Sequence, residues 1–333
     1  MLPLSPKLFD SDGSGLPIAL TIDCDSDQFD RTVNSGEGPL PTWEGVESGI
    51  AALVEATANC HDSFGTAPRF TWFVRVDPHL AALYGDCGYL LDRYSDLWSF
   101  CRKRGDELAW HPHLYRREGE AWVQELDPTR LRASLEDTWA ALGKRGLRPS
   151  SCRIGDAFGS NEVLRTMSRL GLRCDATAMP GRVRRDADRQ IDWEGTPQHP
   201  YHPSLADYRR PGTPAMELLE IPMSMVPVKA AYDSAPLQRY LDLSFHHGAV
   251  REGVENFLSK ASLVVTVTHP SGVLPSMNGG HGLISHDIDE FHRNLEFILE
   301  ECERQSRSSR FVTIAESERW FREGQIDVGQ QAG

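Results

Sequence analysis

The 333-residue sequence contains no Cys-x-x-Cys pair and no apolar run near the roughly 18–20 residues that a membrane span needs. The second absence leaves no candidate for a membrane-crossing helix. The seven cysteines (24, 60, 87, 101, 152, 174 and 302) are odd in number. They indicate neither a disulfide framework nor a cysteine-based zinc site, and most read as small buried hydrophobes. Positive charge is also scarce, with 35 lysines and arginines against 48 acidic residues and a formal charge of −13. That balance argues against general binding to nucleic acid or anionic membrane, where a basic face supplies the affinity. It leaves room for a local basic pocket. The first residues, with Pro3, Pro6, Asp10 and Asp12, lack the apolar stretch of a secretory signal, so the chain reads as cytoplasmic. No internal repeat or low-complexity block is present.

Apolar residues make up 40% and charged residues 25%, so a real core can form and the chain is neither disordered nor fibrous. Short apolar strands alternate with amphipathic helices along its length. Strands are expected at 17–22, 69–76, 107–111, 151–154, 171–176, 217–223, 263–268 and 311–314. Between them, apolar residues at helical spacing mark helices around Val46–Leu53, Tyr94–Cys101 and Leu131–Leu142, at 160–170, and over Ile288–Cys302. A short last helix carries Trp320 and Phe321. Such alternation predicts an α/β fold with a mostly parallel sheet. Seven or eight units without a linker favour one barrel. The expected organisation is an N-terminal extension over 1–16, one barrel domain over 17–323 and a polar tail over 324–333. A long insertion at 178–215 carries six prolines and little periodicity, and reads as a lid or binding loop.

In parallel α/β architectures, reactive groups sit at the carboxyl ends of strands. Those ends here read Thr21-Ile22-Asp23-Cys24-Asp25, Trp110-His111-Pro112-His113, Arg153-Ile154-Gly155-Asp156 and Thr268-His269-Pro270. Period-2 alternation points Asp23 and Asp25 to one side, and likewise His111 and His113. Singly, each has a bland reading: a solvated loop end, a hydrogen-bonded histidine, an ion-paired arginine. On successive strand ends they outline a hydrolytic metal site. Imidazole and carboxylate ligands suit zinc, with cobalt, iron or manganese also fitting. One such divalent ion lowers the pKa of its water toward ~7. A second carboxylate beside it can take the water's proton, and a histidine opposite can protonate a leaving amine or alcohol.

These motifs resemble those of the polysaccharide deacetylase family (carbohydrate esterase family 4), and the resemblance runs over most of the chain. Thr-Ile-Asp-Cys-Asp is similar to the first motif, Trp-His-Pro-His to the second, Arg-Ile-Gly to the third and Thr-His-Pro to the last. The resemblance implies a distorted (β/α)7-8 barrel and one divalent metal used to remove N-acetyl groups. By it, Asp23 is the base, Asp25 with the histidines binds metal, Arg153 orients the base and His269 is the acid. The chain departs from the pattern in two places. Cys24 separates the two aspartates, and Tyr115 stands where the commoner spacing has a histidine, so His113 or another residue must be the second imidazole ligand. Asp192-Trp193 matches the family's fourth motif only loosely.

The expected activity is a metal-dependent deacetylase on an N-acylated sugar or sugar conjugate. Alternatives are a metal-dependent amidohydrolase on a non-sugar C–N bond, or a carbohydrate-binding protein without catalysis. The expected partner is a saccharide or other small molecule, with neither nucleic acid nor membrane; the oligomeric state is left open. Trp110, Tyr115, Trp193, Tyr201 and Tyr208 are candidates to stack on a sugar ring, or else core residues. Six arginines of the long insertion (182, 184, 185, 189, 209 and 210) suit an anionic part of the substrate. Their alternative is pairing with the insertion's own Asp186, Asp188, Asp192 and Asp207.

Overall fold

A computed structural model describes residues 15–27, 40–276 and 282–324. The expected N-terminal extension, but for its last two residues, and the polar tail beyond Gly324 lie outside the described residues. Eight strands form one sheet in which every pairing is parallel. They are Leu16–Cys24, Phe70–Arg75, Glu107–His111, Ser151–Cys152, Cys174–Asp175, Leu219–Glu220, Val264–Val265 and Ser309–Phe311.

In space the sheet runs from 219–220 through 174–175, 151–152, 107–111, 70–75 and 16–24 to 264–265. The first strand has three neighbours because its backbone is shared by parity. Ala19 and Thr21 carbonyls accept from Thr266 and Thr268, whereas Ile18 carbonyl accepts from Val312. The 309–311 and 70–75 strands therefore occupy successive lengths of one edge of the first strand. Irregular chain joins the two ends of the sheet: Ile221 N–H donates to Asp175 O at 2.7 Å and Ser224 N–H to Val265 O at 3.1 Å. The result is the distorted, mostly parallel α/β barrel that the strand–helix alternation predicts.

Alternation along each strand sorts its side chains between two cores. Ala19, Phe73, Ala109, Cys174, Leu219 and Val265 fill the barrel interior. Ile18, Leu20, Ile22, Trp72, Val74 and Trp110 point outward, where helices Glu44–Ala56, Ser95–Arg104, Pro128–Lys144 and Ile288–Arg304 cover them. Helix ends follow local chemistry. Asp127 accepts from Arg130 N–H ahead of Pro128, and Ser160 accepts from Val163 N–H, with Gly171 closing that helix at φ 91°.

Three hairpins and three helices, Pro78–Tyr84, Tyr89–Arg93 and His247–Leu258, are absent from the sequence reading. The hairpins pair Tyr115–Glu118 with Ala121–Gln124, Val183–Arg185 with Gln190–Asp192, and Met225–Val228 with Leu237–Tyr240. The first two are short and largely exposed, so no apolar alternation announces them. The helix His247–Leu258 buries Val250, Val254 and Leu258, a four-residue spacing that was there to be read. The 178–215 segment is thus not structureless: its hairpin leads into Ile191 and Trp193, both buried.

Candidate metal centre

Inward positions on neighbouring strands converge at the carboxyl end of the barrel. Asp23 ends the inward row Ala19-Thr21-Asp23, and His111 follows Ala109 in the same way. Asp25 and His113 lie just beyond their strands. Ligand atoms of Asp25, His111 and His113 all lie within 4.8 Å of one another. The two Nε2 atoms are 3.3 Å apart, His113 Nε2 is 3.0 Å from Asp25 Oδ1, and His111 Nε2 is 3.6 Å from Asp25 Oδ2. In a tetrahedral shell with bonds of ~2.0–2.1 Å, ligand atoms lie about 3.3–3.4 Å apart. The Nε2–Nε2 separation matches that value, and the Asp25 carboxylate lies within a few tenths of an ångström of it from either ring, through Oδ1 for His113 and Oδ2 for His111.

The hydrogen bonds behind the rings say which nitrogen is free. His111 Nδ1 lies 2.7 Å from the Arg153 carbonyl, which can only accept, so this nitrogen carries the proton. His113 Nδ1 lies 3.1 Å from the Tyr115 hydroxyl, and that hydroxyl donates onward to Asp156. With Nδ1 carrying the proton, each ring turns an Nε2 lone pair toward the other and toward the Asp25 carboxylate, His111 to Oδ2 and His113 to Oδ1, and Oδ1 is a buried atom without a hydrogen-bond donor. Three converging lone pairs demand positive charge. Protons on the imidazoles can supply it: burial opposes ionisation of Asp25, yet the His113 and His111 charges outweigh it and hold its carboxyl well below the usual range. Two imidazolium rings with nitrogens 3.3 Å apart repel each other. A single divalent cation meets the same demand without that repulsion, so the donor set fits one.

Around the triad, Arg153 is 1% exposed and donates to Asp23 Oδ1 at 2.6 Å, to Thr21 Oγ1 at 2.8 Å and to the Ala176 carbonyl at 2.8 Å. Its guanidinium packs over the Phe73 ring at 4.2 Å. One Asp23 oxygen is thereby held by a buried guanidinium. His269 Nε2 lies 3.6 Å from Asp25 Oδ2. Burial alone lowers this imidazole's pKa, but Asp25, Asp23 and Asp242 overcome it and push it up to about 9.

Arg75, Asp77 and His79 were missed by the sequence reading. Arg75 ends the inward row Thr71-Phe73-Arg75, so the strand-end rule applied to this strand would have found it. It bonds Asp77 at 2.8 Å and His79 Nδ1 at 3.1 Å, with Asp25 Oδ1 at 3.7 Å. Asp77 also accepts from His113 N–H at 3.3 Å. Burial and the Arg75 charge drive the His79 pKa down to about 3.

A cavity of about 380 Å³ opens over these groups and is lined by Asp23, Asp25, His111, His113, Arg153 and His269, and also by Tyr115 and Arg182. Three of the expected sugar-stacking rings are elsewhere. Trp110 faces outward, opposite His111, and its indole N–H donates to the Val76 carbonyl at 2.8 Å. Trp193 is fully buried with its N–H on the Ala157 carbonyl at 2.8 Å. The Tyr201 ring is 3% exposed and its hydroxyl reaches the Tyr208 carbonyl at 3.0 Å. Each has its ring in a core and its polar atom satisfied by backbone, so none offers a face to a ligand. For Trp110 the alternation that aims His111 inward already required this.

No family model matches this sequence, and no curated protein matches it. Solved structures do. One is a Mycobacterium smegmatis protein provisionally named a polysaccharide deacetylase, 16% identical, with a TM-score of 0.55 over 97% of this chain and 96% of that one. Another is a family 4 carbohydrate esterase from Streptomyces lividans in complex with acetate, 11% identical, with a TM-score of 0.38 over 89% of this chain and 91% of that one. The first likeness shows a shared fold along nearly the whole length of both chains; the second is too distant to add to it.

Proposed function

We propose that this protein is a divalent-metal-dependent hydrolase that removes an N-acyl group, N-acetyl foremost, from a sugar or sugar conjugate. The observation that carries the reading is the convergence of Asp25, His111 and His113 in one cavity with Asp23 and His269. Asp25, His111 and His113 would hold the ion, zinc being the first choice for two imidazoles and a carboxylate. Bound there, a divalent ion supplies Lewis acidity, acidifying water and polarising an acyl carbonyl.

The remaining steps belong to the chain. Asp23, held by Arg153, accepts the proton that the attacking water loses as its oxygen bonds to the acyl carbon. His269, whose Nε2 lies 3.6 Å from Asp25 Oδ2, delivers a proton to the nitrogen as the C–N bond breaks. Acetate and a free amine result, and the two protonation states are restored by exchange with solvent. Asp77 holds the His113 backbone N–H, and Arg75, itself paired with Asp77, stands 3.7 Å from Asp25 Oδ1. The fold shared with the Mycobacterium smegmatis protein, itself provisionally named a polysaccharide deacetylase, supports a saccharide substrate. The insertion, of which Arg182 lines the cavity, is proposed as the substrate-facing segment of a single barrel domain. Among the described residues no helix is long and apolar enough to cross a membrane.

Acetate release from a panel of N-acetylated sugars, set beside simple N-acetyl amines, tests the reading. Turnover of the sugars in preference to the amines is expected. Preference for the amines would transfer the site to non-sugar amides, and sugar binding without any turnover would leave a carbohydrate-binding protein.

A further inference from the structure

Of the six arginines in the insertion, five are ion-paired, sharing four carboxylates. Arg184 pairs with Asp186, Arg185 with Asp192 at 3.6 Å, Arg189 with Asp156 at 2.8 Å, and Arg209 and Arg210 with Asp207 at 2.9 and 3.8 Å. Arg182 forms no ion pair among the described residues, and it lines the cavity over the candidate metal centre. The neighbouring cations are likewise committed, Arg153 to Asp23 and Arg75 to Asp77. Asp25 would be taken up by the ion. With a divalent cation in place, the cavity keeps an excess of positive charge inside a protein whose formal charge is −13.

The position of Arg182 is built rather than incidental. Its N–H donates to the Met179 carbonyl at 2.9 Å, its carbonyl accepts from Trp193 N–H at 2.8 Å, and Gly181 N–H returns to the Trp193 carbonyl at 2.9 Å. Trp193 is fully buried, so the backbone that carries Arg182 is pinned to the barrel. The Arg189–Asp156 pair ties the turn of the adjoining hairpin to the loop behind His113. Only the side chain of Arg182 is left exposed to choose its partner.

We propose that the substrate carries an anionic group, a carboxylate or a phosphate, which Arg182 binds at the cavity rim while the acyl group sits at the metal centre. The inference rests on the hydrolase reading for the second half of that statement only. A guanidinium presents paired N–H donors that match either oxyanion. Its five paired neighbours act as a scaffold that prevents the insertion's own aspartates from folding back onto it.

Binding and turnover are measured separately with three probes that differ in one group: N-acetylglucosamine, its 6-phosphate, and the corresponding uronic acid. Isothermal titration to the zinc-loaded protein is expected to show at least one anionic probe binding ~10-fold tighter than the neutral one, and whichever it is identifies the oxyanion. In Arg182→Gln that advantage should fall below ~3-fold, while affinity for the neutral probe stays put; Arg182→Lys should keep part of it. Equal affinity of the wild type for all three, or an undiminished advantage in Arg182→Gln, overturns the inference. Acetate release from the same samples separates the two readings. Turnover without charge preference sinks the anion site and leaves the hydrolase; an Arg182-dependent preference without turnover does the reverse.

Discussion

At the residue scale, the second imidazole of the centre depends on what stands behind it. The chain places Tyr115 two positions after His113, and its hydroxyl takes the His113 Nδ1–H and passes a hydrogen bond to Asp156. Outer-shell partners of this kind typically contribute 10–100-fold in metal affinity. Tyr115→Phe should fold normally and bind zinc ~10–100-fold more weakly in a chelator competition; unchanged affinity would show that the relay is idle. Gly155 poses a steric version of the same test. A Cβ there would lie 2.2 Å from the His113 ring, so Gly155→Ala should displace that ring and weaken zinc binding without removing His111 or Asp25. For the proton transfers, Asp23→Asn and His269→Ala should retain zinc yet lose ~10²–10⁴ in kcat, the usual worth of a general base or acid. Near-full turnover by either variant would remove that residue from its role.

Strand-end motifs made much of the centre legible, because alternation on a buried strand aims every second residue inward. The same rule, followed one step further, also places Trp110 outside and Arg75 inside. Trp193 and Tyr201 carried no such signal: whether an aromatic ring in an aperiodic segment meets core or ligand depends on tertiary contacts.

At the scale of elements, the long parallel strands and the striped helices were visible as periodic apolar patterns. The two exposed hairpins were not, since a strand of three or four exposed residues is held by its turn and by its neighbours rather than by its own composition. One element carries a pH-dependent cost. Glu107 starts the third barrel strand, and its buried carboxylate accepts from Thr71 Oγ1 at 3.0 Å, from Ala315 N–H at 2.9 Å and from the Ser151 hydroxyl. Burial outweighs these donors and pushes its pKa from 4.5 up to about 7. The folded state therefore holds this proton more tightly than the unfolded chain, and the cost of ionising the group is absent below about pH 4.5, grows from there to about 7 and is complete above. Glu107→Gln, whose amide can donate to Ser151, should become more stable relative to wild type as pH rises from 5 to 8, by up to about 3 kcal/mol. A pH-independent difference in denaturation midpoints would contradict this.

At the scale of the whole molecule, one curled parallel sheet brings residues more than two hundred positions apart, Asp23 and His269, to the same cavity. Order along the chain predicted the barrel, but the closure itself relies on Ser224 and Leu241, which bridge the sheet edges through backbone bonds to Val265 and Val267 and lie in chain without periodicity. Which arginines of the insertion are ion-paired and which is not was legible only in three dimensions. The central claim is that Asp25, His111 and His113 form a divalent metal site. Titration of zinc into chelator-stripped protein tests it directly: one site per chain is predicted, absent in His111→Ala although that variant remains folded. No binding by the wild type, or equal binding by His111→Ala, would contradict the account.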